Sequence, residues 1–302
     1  MNDPSTPLET SSGASSDASS GPSPGTRRAS ASDVVILLDV DNTLLDNDQF
    51  AADLDAHLKR KFSVAAAEHY WTLYNRRREE LGVADYLGTL QEFRTDFEDH
   101  PSLLTMSQFL LDYPFAGILY PQALETIAAL QRSALPVVLS DGDVVFQPRK
   151  IQRSGIWNAV DNRVLIHLHK ERVMESVVRA YPAAHYIAID DKPHLLSAMK
   201  RALGSRISTI FVRQGHYALE AQGEHLDPPP DVTIERIAEM IDFDLSPLAA
   251  VAAQRRRDSA QVTPQVTAHL PPQAPAALNP APVPAPIPVS VPPSASPPNT
   301  IA

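Results

Sequence analysis

Two carboxylates that follow a short apolar run carry the clearest sign of chemistry in this chain of 302 residues. Asp39 and Asp41 stand two positions apart, directly after the apolar residues 34–38. An aliphatic, β-branched run of this length predicts a strand buried on both faces of a parallel sheet, and open α/β sheets bind ligands beyond the carboxyl ends of such strands. Neighbouring carboxylates repel each other unless a divalent cation, a shared proton or basic groups compensate them. The spacing therefore indicates metal-assisted chemistry.

Three more groups of polar residues also follow apolar runs. Ser140 and Asp141 follow the second run, Lys170 follows the third, and Asp190 and Asp191 follow the fourth. A single acid at a strand end is about as often a helix cap or a turn residue as it is a functional residue. Because the carboxyl ends of parallel strands share one edge of a sheet, the ordered set of four groups predicts a single site.

Predicted strands alternate with predicted helices through the middle of the chain, which favours a doubly wound, Rossmann-like α/β fold with a parallel sheet. The predicted strands are 34–38, 136–139, 164–168, 186–189 and 207–212. The predicted helices are 121–132, 171–180 and 193–203, and 232–241 is predicted as a short strand or turn and then a helix.

One stretch interrupts this alternation. Between the first and second strands, aromatic and apolar residues recur at helical spacing, and no buried-strand pattern occurs. We expect three to five helices here, forming an all-helical cap of residues 48–113 over the crevice beyond the first strand. Residues 33–47 and 114–245 would then form the α/β core.

The two ends of the chain differ from this folded part in composition. Residues 1–32 are rich in Ser, Gly, Pro and Thr, so we predict a disordered tail. Residues 246–302 are rich in Ala and Pro, and 13 of the 28 prolines fall in the last 39 residues, which predicts a second disordered and extended tail. An inert tail is favoured over a ligand for a proline-recognising groove.

Composition and charge exclude several classes of protein. The formal net charge is −10, which does not suit nonspecific binding to nucleic acid or to an anionic membrane. The absence of cysteine excludes disulfides, thiolate metal sites and a cysteine nucleophile. We expect no spanning helix, because no apolar run reaches about 18 residues. The N-terminus lacks the pattern of a secretory signal, and the apolar run after Arg27 and Arg28 is short for a twin-arginine signal, so we expect a cytoplasmic protein.

The four groups together resemble the motifs of the haloacid dehalogenase-like superfamily over the predicted folded part. Residues 39–43 resemble its first motif, Asp-x-Asp-x-Thr, and residues 137–142 resemble the second, an apolar strand that ends in Ser or Thr. Lys170 resembles the third motif, residues 187–191 resemble the fourth in its paired-acid form, and the helical insertion resembles the type-one cap.

Two positions depart from the family pattern. Glu171 follows Lys170 where many members have Pro, and His194 stands four residues beyond Asp190 where many members have an acid. The second departure leaves open whether Asp190 alone binds the metal or Asp191 binds it too.

The resemblance implies a phosphoryl-transfer mechanism. Asp39 would be the nucleophile that forms an aspartyl-phosphate, and Asp41 would be the general acid for the leaving alcohol and then the base for the attacking water. Mg²⁺ would be bound by Asp39, by the Asp41 carbonyl and by Asp190, with or without Asp191. Lys170 would neutralise the nucleophile and the transferring group.

The resemblance also implies a set of residues around the substrate. The Ser140 hydroxyl and nearby backbone N–H groups would bind a phosphoryl oxygen, together with Lys170. Thr43, Asp141 and Gly142 complete the predicted substrate-binding set.

Within the superfamily, Asp41 favours a phosphatase over a dehalogenase, because displacing halide from carbon needs no acid for the leaving group. We therefore expect a small phosphorylated metabolite as substrate. The alternatives are a phosphotransferase or mutase, and a non-catalytic phosphoacceptor or binding module. Arg76, Arg77, Arg78 and Arg94 are interpreted as solvated surface residues in preference to substrate contacts.

Overall fold

The computed structural model describes residues 32–221, 223, 225–248 and 250, and in this part of the chain six parallel strands form one sheet. The strands are β1 Ser32–Leu38, β2 Leu135–Asp141, β3 Val164–His167, β4 Ala183–Asp190, β5 Ile207–Val212 and β6 Val232–Ile234. Their spatial order is β3-β2-β1-β4-β5-β6. The predicted Rossmann-like α/β fold is confirmed.

Strand β1 lies at the centre of the sheet and is covered on both faces. Val34, Ile36 and Leu38 pack into one apolar cluster, whereas Val35 and Leu37 pack into the cluster on the other face. This explains why residues 34–38 of β1 are a continuous apolar run without polar alternation.

The order of the strands reverses at β1, which is flanked by β2 on one side and β4 on the other. Such a switch point opens a crevice at the carboxyl ends of the strands. Leu38 is in register with Ile189 of β4, so the residues that follow, Asp39 and Asp190, come to the same level at this crevice.

A helical insertion, residues 47–112, separates β1 from β2. Its α-helices are α1 Asn47–Lys61, α2 Val64–Leu81, α3 Tyr86–Phe93 and α4 Leu103–Asp112. The side chains of Asp46, Ser63 and Asp85 each accept a backbone hydrogen bond from the first turn of α1, α2 and α3, respectively. Gly82 ends α2 at φ +76°, where a residue with a Cβ is strained.

The chain enters and leaves the insertion along two adjacent segments. Leu45 and Leu119 form an antiparallel bridge, the Tyr120 N–H donates to the Leu44 carbonyl at 3.0 Å, and the Asp46 N–H donates to Ile118 at 2.8 Å. These bonds fix the start of α1 next to the polypeptide that returns to the sheet.

The remaining helices are α5 Ala123–Leu130, α6 Phe146–Arg153, α7 Ile156–Ala159, α8 Met174–Ala180, α9 Pro193–Leu203 and α10 Gly215–Glu220. Among them, α5 packs against β2, and α9 packs against β4 and β5. The bounds of α9 are those predicted, with Gly204 as its C-cap. Helices α6, α7 and α10 were not predicted. In α6 the polar Gln147 and Lys150 are buried together with Phe146 and Ile151, so the buried residues do not form a continuous apolar pattern.

Two predicted helices were wrong in detail. The helix predicted over 171–180 is a 3₁₀ turn, Lys170–Arg172, followed by α8, because Val173 has non-helical dihedral angles of φ −111° and ψ 19°. The helix predicted near the end of 232–241 is a 3₁₀ helix, Ile237–Ile241, which follows β6.

The predicted tails fall almost wholly outside the described residues. Ser32, which was assigned to the N-terminal tail, begins β1, and residues 246–248, assigned to the C-terminal tail, have helical backbone conformation. Residues 1–31 and 251–302 lie outside the described part. No helix in that described part is both long and apolar enough to cross a membrane.

Candidate active site

Three of the predicted site residues are in direct contact at the crevice beyond β1 and β4. The Lys170 Nζ lies 2.5 Å from Asp39 Oδ1 and 2.7 Å from Asp190 Oδ2, and all three side chains are buried. Burial would raise the pKa of Asp39, but the positive charges of Lys170 and Lys192 hold it below its usual value. Burial opposes the charge of Lys170, yet Asp190 and Asp39 raise its pKa well above the usual value. Asp39 is therefore an ionised carboxylate next to a permanent cation.

Asp191 adds a third buried carboxylate to the crevice. Asp39, Asp190 and Asp191 each offer an oxygen within 4.8 Å of the other two. Neither Asp191 oxygen has a hydrogen-bond partner among the described residues, and the Lys192 Nζ is 3.8 Å from Asp191 Oδ1. Burial raises the pKa of Asp191 well above its usual value. A divalent cation would satisfy these orphaned oxygens, and an all-carboxylate donor set suits a hard cation.

Two residues that were not predicted from the sequence, Gln147 and Lys150, contact Asp41. Asp41 Oδ1 accepts a hydrogen bond from Lys150 Nζ at 2.7 Å, and Asp41 Oδ2 accepts one from Gln147 Nε2 at 3.1 Å. Lys150 also donates to Asn47 Oδ1 at 2.9 Å, and its side chain is 1% exposed. Gln147 and Lys150 are three residues apart on α6 and so share one face of that helix. The polar composition of α6 resembles a solvated helix, which is why neither residue was singled out.

Ser140 lies inside β2 and is linked to Asp41 through the same glutamine. Its Oγ accepts a hydrogen bond from Gln147 Nε2 at 2.9 Å. Gly142 has φ +153°, and a Cβ there would fall 2.8 Å from Gln147 Cβ. The Gly142 N–H donates to the His167 carbonyl at 3.0 Å. The Gly142 N–H therefore already has an acceptor within the protein. The absence of a side chain at Gly142 leaves room for Gln147.

Two further members of the predicted substrate-binding set contact Asp39 and Lys170. Thr43 is fully buried and donates from Oγ1 to Asp39 Oδ2 at 3.1 Å, so it lies behind Asp39 and supports it. Asp141 accepts the Lys170 N–H at 2.7 Å through Oδ1, and it lines the adjacent cavity.

That cavity, with a volume of about 410 Å³, lies between the helical insertion and the carboxyl edge of the sheet. Asp41, Asn42 and Asp141 line it from the sheet edge, and Tyr74 and Arg78 line it from α2. Its size is in the range of small-molecule sites. The position of Asp41 on its wall puts the predicted acid within reach of a bound molecule.

We predict that Asp141→Asn stabilises the protein in EDTA, and only above pH 4. Burial raises the pKa of Asp141 to about 6 from 3.8. The folded state therefore binds this proton more tightly than the unfolded state, so the wild-type protein loses stability as the pH rises from about 4 to about 6. The Asn variant keeps the oxygen that accepts the Lys170 N–H. Unfolding temperatures of both proteins between about pH 4 and pH 8 test this, and a gap independent of pH would contradict it.

Comparison with known proteins identifies relatives among solved structures. No protein-family model and no curated protein matches the chain. A protein from Burkholderia xenovorans LB400 that is described as a haloacid dehalogenase-like hydrolase is 51% identical, with a TM-score of 0.66; the match covers 70% of this chain and 99% of that one.

A more distant structure shares the fold. A haloacid dehalogenase-like family hydrolase from Xanthomonas campestris is 17% identical, with a TM-score of 0.51, and the match covers 76% of this chain and 97% of that one. The L-2-haloacid dehalogenase of Xanthobacter autotrophicus is 15% identical, with a TM-score of 0.45, over 69% of this chain and 96% of that one. The latter similarity is too weak to indicate a shared activity.

Proposed function

Because the chain belongs to the haloacid dehalogenase-like hydrolase family, we propose that it is a Mg²⁺-dependent phosphatase that hydrolyses a small phosphate monoester. The intermediate is an aspartyl-phosphate on Asp39. The observation that carries this proposal is the position of Asp41. Asp41 lines the cavity and stands two residues from Asp39, and its two carboxylate oxygens accept hydrogen bonds from Lys150 and Gln147. A protonating group at this position serves the alkoxide leaving group of a phosphate ester, whereas a halide needs none.

The first chemical step forms the intermediate. An Asp39 oxygen attacks phosphorus, the bond to the ester oxygen breaks, and Asp41 in its protonated form gives its proton to the departing alkoxide. Lys170 and the Ser140 hydroxyl stabilise the charge on the non-bridging oxygens of the phosphoryl group.

The second step releases phosphate. A water molecule attacks the aspartyl-phosphate at phosphorus, Asp41 accepts the proton from that water, and the Asp39 carboxylate is regenerated. Asp41 alternates between the two roles, so its orientation must be kept through the cycle, and the contacts with Lys150 and Gln147 supply that constraint.

The metal site that fits this mechanism consists of Asp39, Asp190 and Asp191. Mg²⁺ prefers oxygen ligands, and when bound it would screen the negative charges of the nucleophile and the phosphate from each other. The orphaned oxygens of Asp191 support its inclusion beside Asp190, the point that the sequence left open.

We expect Asp191→Asn to have opposite effects with and without metal. In EDTA the variant unfolds at a higher temperature than the wild type, because a buried carboxylate without a hydrogen-bond partner is removed. Mg²⁺ at 100 times its Kd stabilises the wild type by about 2.7 kcal/mol, and the variant much less at the same concentration. Calorimetric unfolding across a Mg²⁺ titration measures both effects. Asp161→Asn, at a site where the side chain is 72% exposed, is the control, and an undiminished Mg²⁺ shift in Asp191→Asn would exclude Asp191 as a ligand.

Activity assays separate the proposed function from its alternatives. We expect phosphate release from para-nitrophenyl phosphate and from alkyl phosphates in Mg²⁺, loss of that release in EDTA, and no chloride release from 2-chloropropanoate. Chloride release without phosphate release would indicate a dehalogenase. Transfer of phosphate to an added alcohol in preference to water would indicate a phosphotransferase, and a long-lived aspartyl-phosphate without turnover would indicate a phosphoacceptor module.

A further inference from the structure

Arg78 differs from the two arginines that precede it on α2. Arg76 is paired with Glu92 and Arg77 with Asp85, as the surface interpretation predicted. Arg78 has no ion pair with a carboxylate of the described residues. Its guanidinium donates to the Tyr217 hydroxyl, and its Cζ lies 5.2 Å from the centre of the Tyr217 ring.

A second cation lies against the same ring. The Lys192 Nζ is 4.7 Å from the centre of the Tyr217 ring. Its one ion pair within the described part of the chain, with Asp191 Oδ1, spans 3.8 Å, which is longer than a hydrogen bond. Arg78, Lys192 and Tyr217 all line the cavity that contains Asp41. Arg78 belongs to the insertion, whereas the other two belong to the core.

The acidic residues of this cavity are already engaged elsewhere. Asp41 pairs with Lys150, the Asp141 carboxylate accepts the Lys170 N–H, and Glu171 pairs with Arg172. Arg78 is therefore left without a carboxylate partner among the residues that line the cavity. The charge of Lys192 is opposed by Asp191 and Asp39, which lie outside that lining.

We propose that the leaving group of the substrate carries a second anionic group, a carboxylate or a phosphate, which binds to Arg78 and Lys192. This inference rests on the proposed phosphatase function and names its substrate class. The planar guanidinium offers paired N–H donors that match either anion, and Lys192 adds a point charge. The Tyr217 ring holds both cations in place through its face. The cavity that contains Asp41 and both cations has a volume of about 410 Å³, which is in the range of small-molecule sites.

The test uses ligands that cannot be hydrolysed, so that binding is measured separately from turnover. Butylphosphonate, 4-phosphonobutanoate and propane-1,3-diylbisphosphonate share a phosphonate head and differ in the far end, which is a methyl, a carboxylate or a second phosphonate. Each is titrated calorimetrically into the wild-type protein in Mg²⁺. We expect at least one of the two ligands with an anionic far end to bind tenfold or more tightly than butylphosphonate. The tighter-binding of these two identifies the preferred anion. Equal binding of all three overturns the proposal.

Variants locate the preference on the cavity wall. The measured quantity is the ratio of the affinity for the tighter-binding anionic-ended ligand to the affinity for butylphosphonate. In Arg78→Gln this ratio is expected to fall towards one. Arg78→Lys is expected to retain only part of the wild-type ratio, because the ammonium lacks the paired donors. Arg77→Gln removes the neighbouring arginine, which pairs with Asp85, and should keep the wild-type ratio. A wild-type ratio in Arg78→Gln would contradict the assignment. Unfolding temperatures show whether each variant is folded.

The experiments distinguish failure of the anion site from failure of the phosphatase activity. A binding preference without phosphate release from any ester would overturn the phosphatase assignment and leave the anion site standing. Phosphate release without a binding preference would overturn the anion site and leave the phosphatase standing.

Discussion

Replacing Asp39 by Asn is expected to lower kcat/KM for para-nitrophenyl phosphate by about three orders of magnitude or more, since loss of a nucleophile in other enzymes has effects of this size or larger. The amide is a much weaker nucleophile than the carboxylate, so no acyl-phosphate forms. Asp39 is the buried carboxylate that Lys170 and Lys192 keep ionised. Initial rates of phosphate release in Mg²⁺ measure the effect. Acid-quenched mass spectrometry should find a phosphorylated form of the wild type and none of the variant.

The control for this substitution is Asp96→Asn, which makes the same chemical change at a half-exposed site on the insertion. We expect wild-type rates from it. A rate for Asp39→Asn within tenfold of the wild type would exclude Asp39 as the nucleophile and with it the aspartyl-phosphate route. Far-UV circular dichroism of both variants shows whether the fold is intact.

The second large effect is expected from Lys170→Met. Lys170 is the cation between Asp39 and Asp190, and its removal takes away the ammonium group that both buried carboxylates contact. Breaking a buried ion pair on one side costs about 3–5 kcal/mol of unfolding free energy. Turnover should also be lost, because the transferring phosphoryl group loses a neutralising charge. Urea unfolding in EDTA measures the loss of stability, and added Mg²⁺ should restore part of it.

Lys150→Met provides a matched comparison for this prediction. Lys150 is as deeply buried as Lys170, but its carboxylate partner, Asp41, is 22% exposed and is hydrated when the lysine is removed. Lys150→Met should therefore cost less stability than Lys170→Met. Equal unfolding midpoints for Lys170→Met and the wild type in EDTA would show that a shared proton, and not Lys170, compensates the carboxylates.

The sheet and the principal site residues were predictable because they follow from local patterns. The run 34–38 is apolar at every position since both faces of β1 are covered, and burial on both faces is visible in the sequence without any knowledge of the partners. The parallel order then brings the strand ends together, so Asp39, Lys170 and Asp190 were expected to meet, and they do.

Local patterns failed where a buried residue is polar. Helix α6 was not predicted, because two of its four buried residues, Gln147 and Lys150, are polar and interrupt the apolar periodicity. Lys150 reaches Asp41 across 109 residues of sequence, and no spacing rule connects positions so far apart. Arg78 could not be distinguished by local patterns either. It directly follows Arg76 and Arg77, which form surface ion pairs, and the three were interpreted alike.

The parallel α/β sheet, the helices between β1 and β2, and the acids and the lysine at the strand ends could be predicted from short segments, because hydrophobic periodicity and strand polarity are local properties. The compensation of charges is visible in the folded structure alone. There Thr43 donates to Asp39, the Asp191 oxygens have no hydrogen-bond partner among the described residues, and Arg78 lines the cavity. Compensation depends on distances between residues that are remote in sequence, and such distances exist only once the chain has folded.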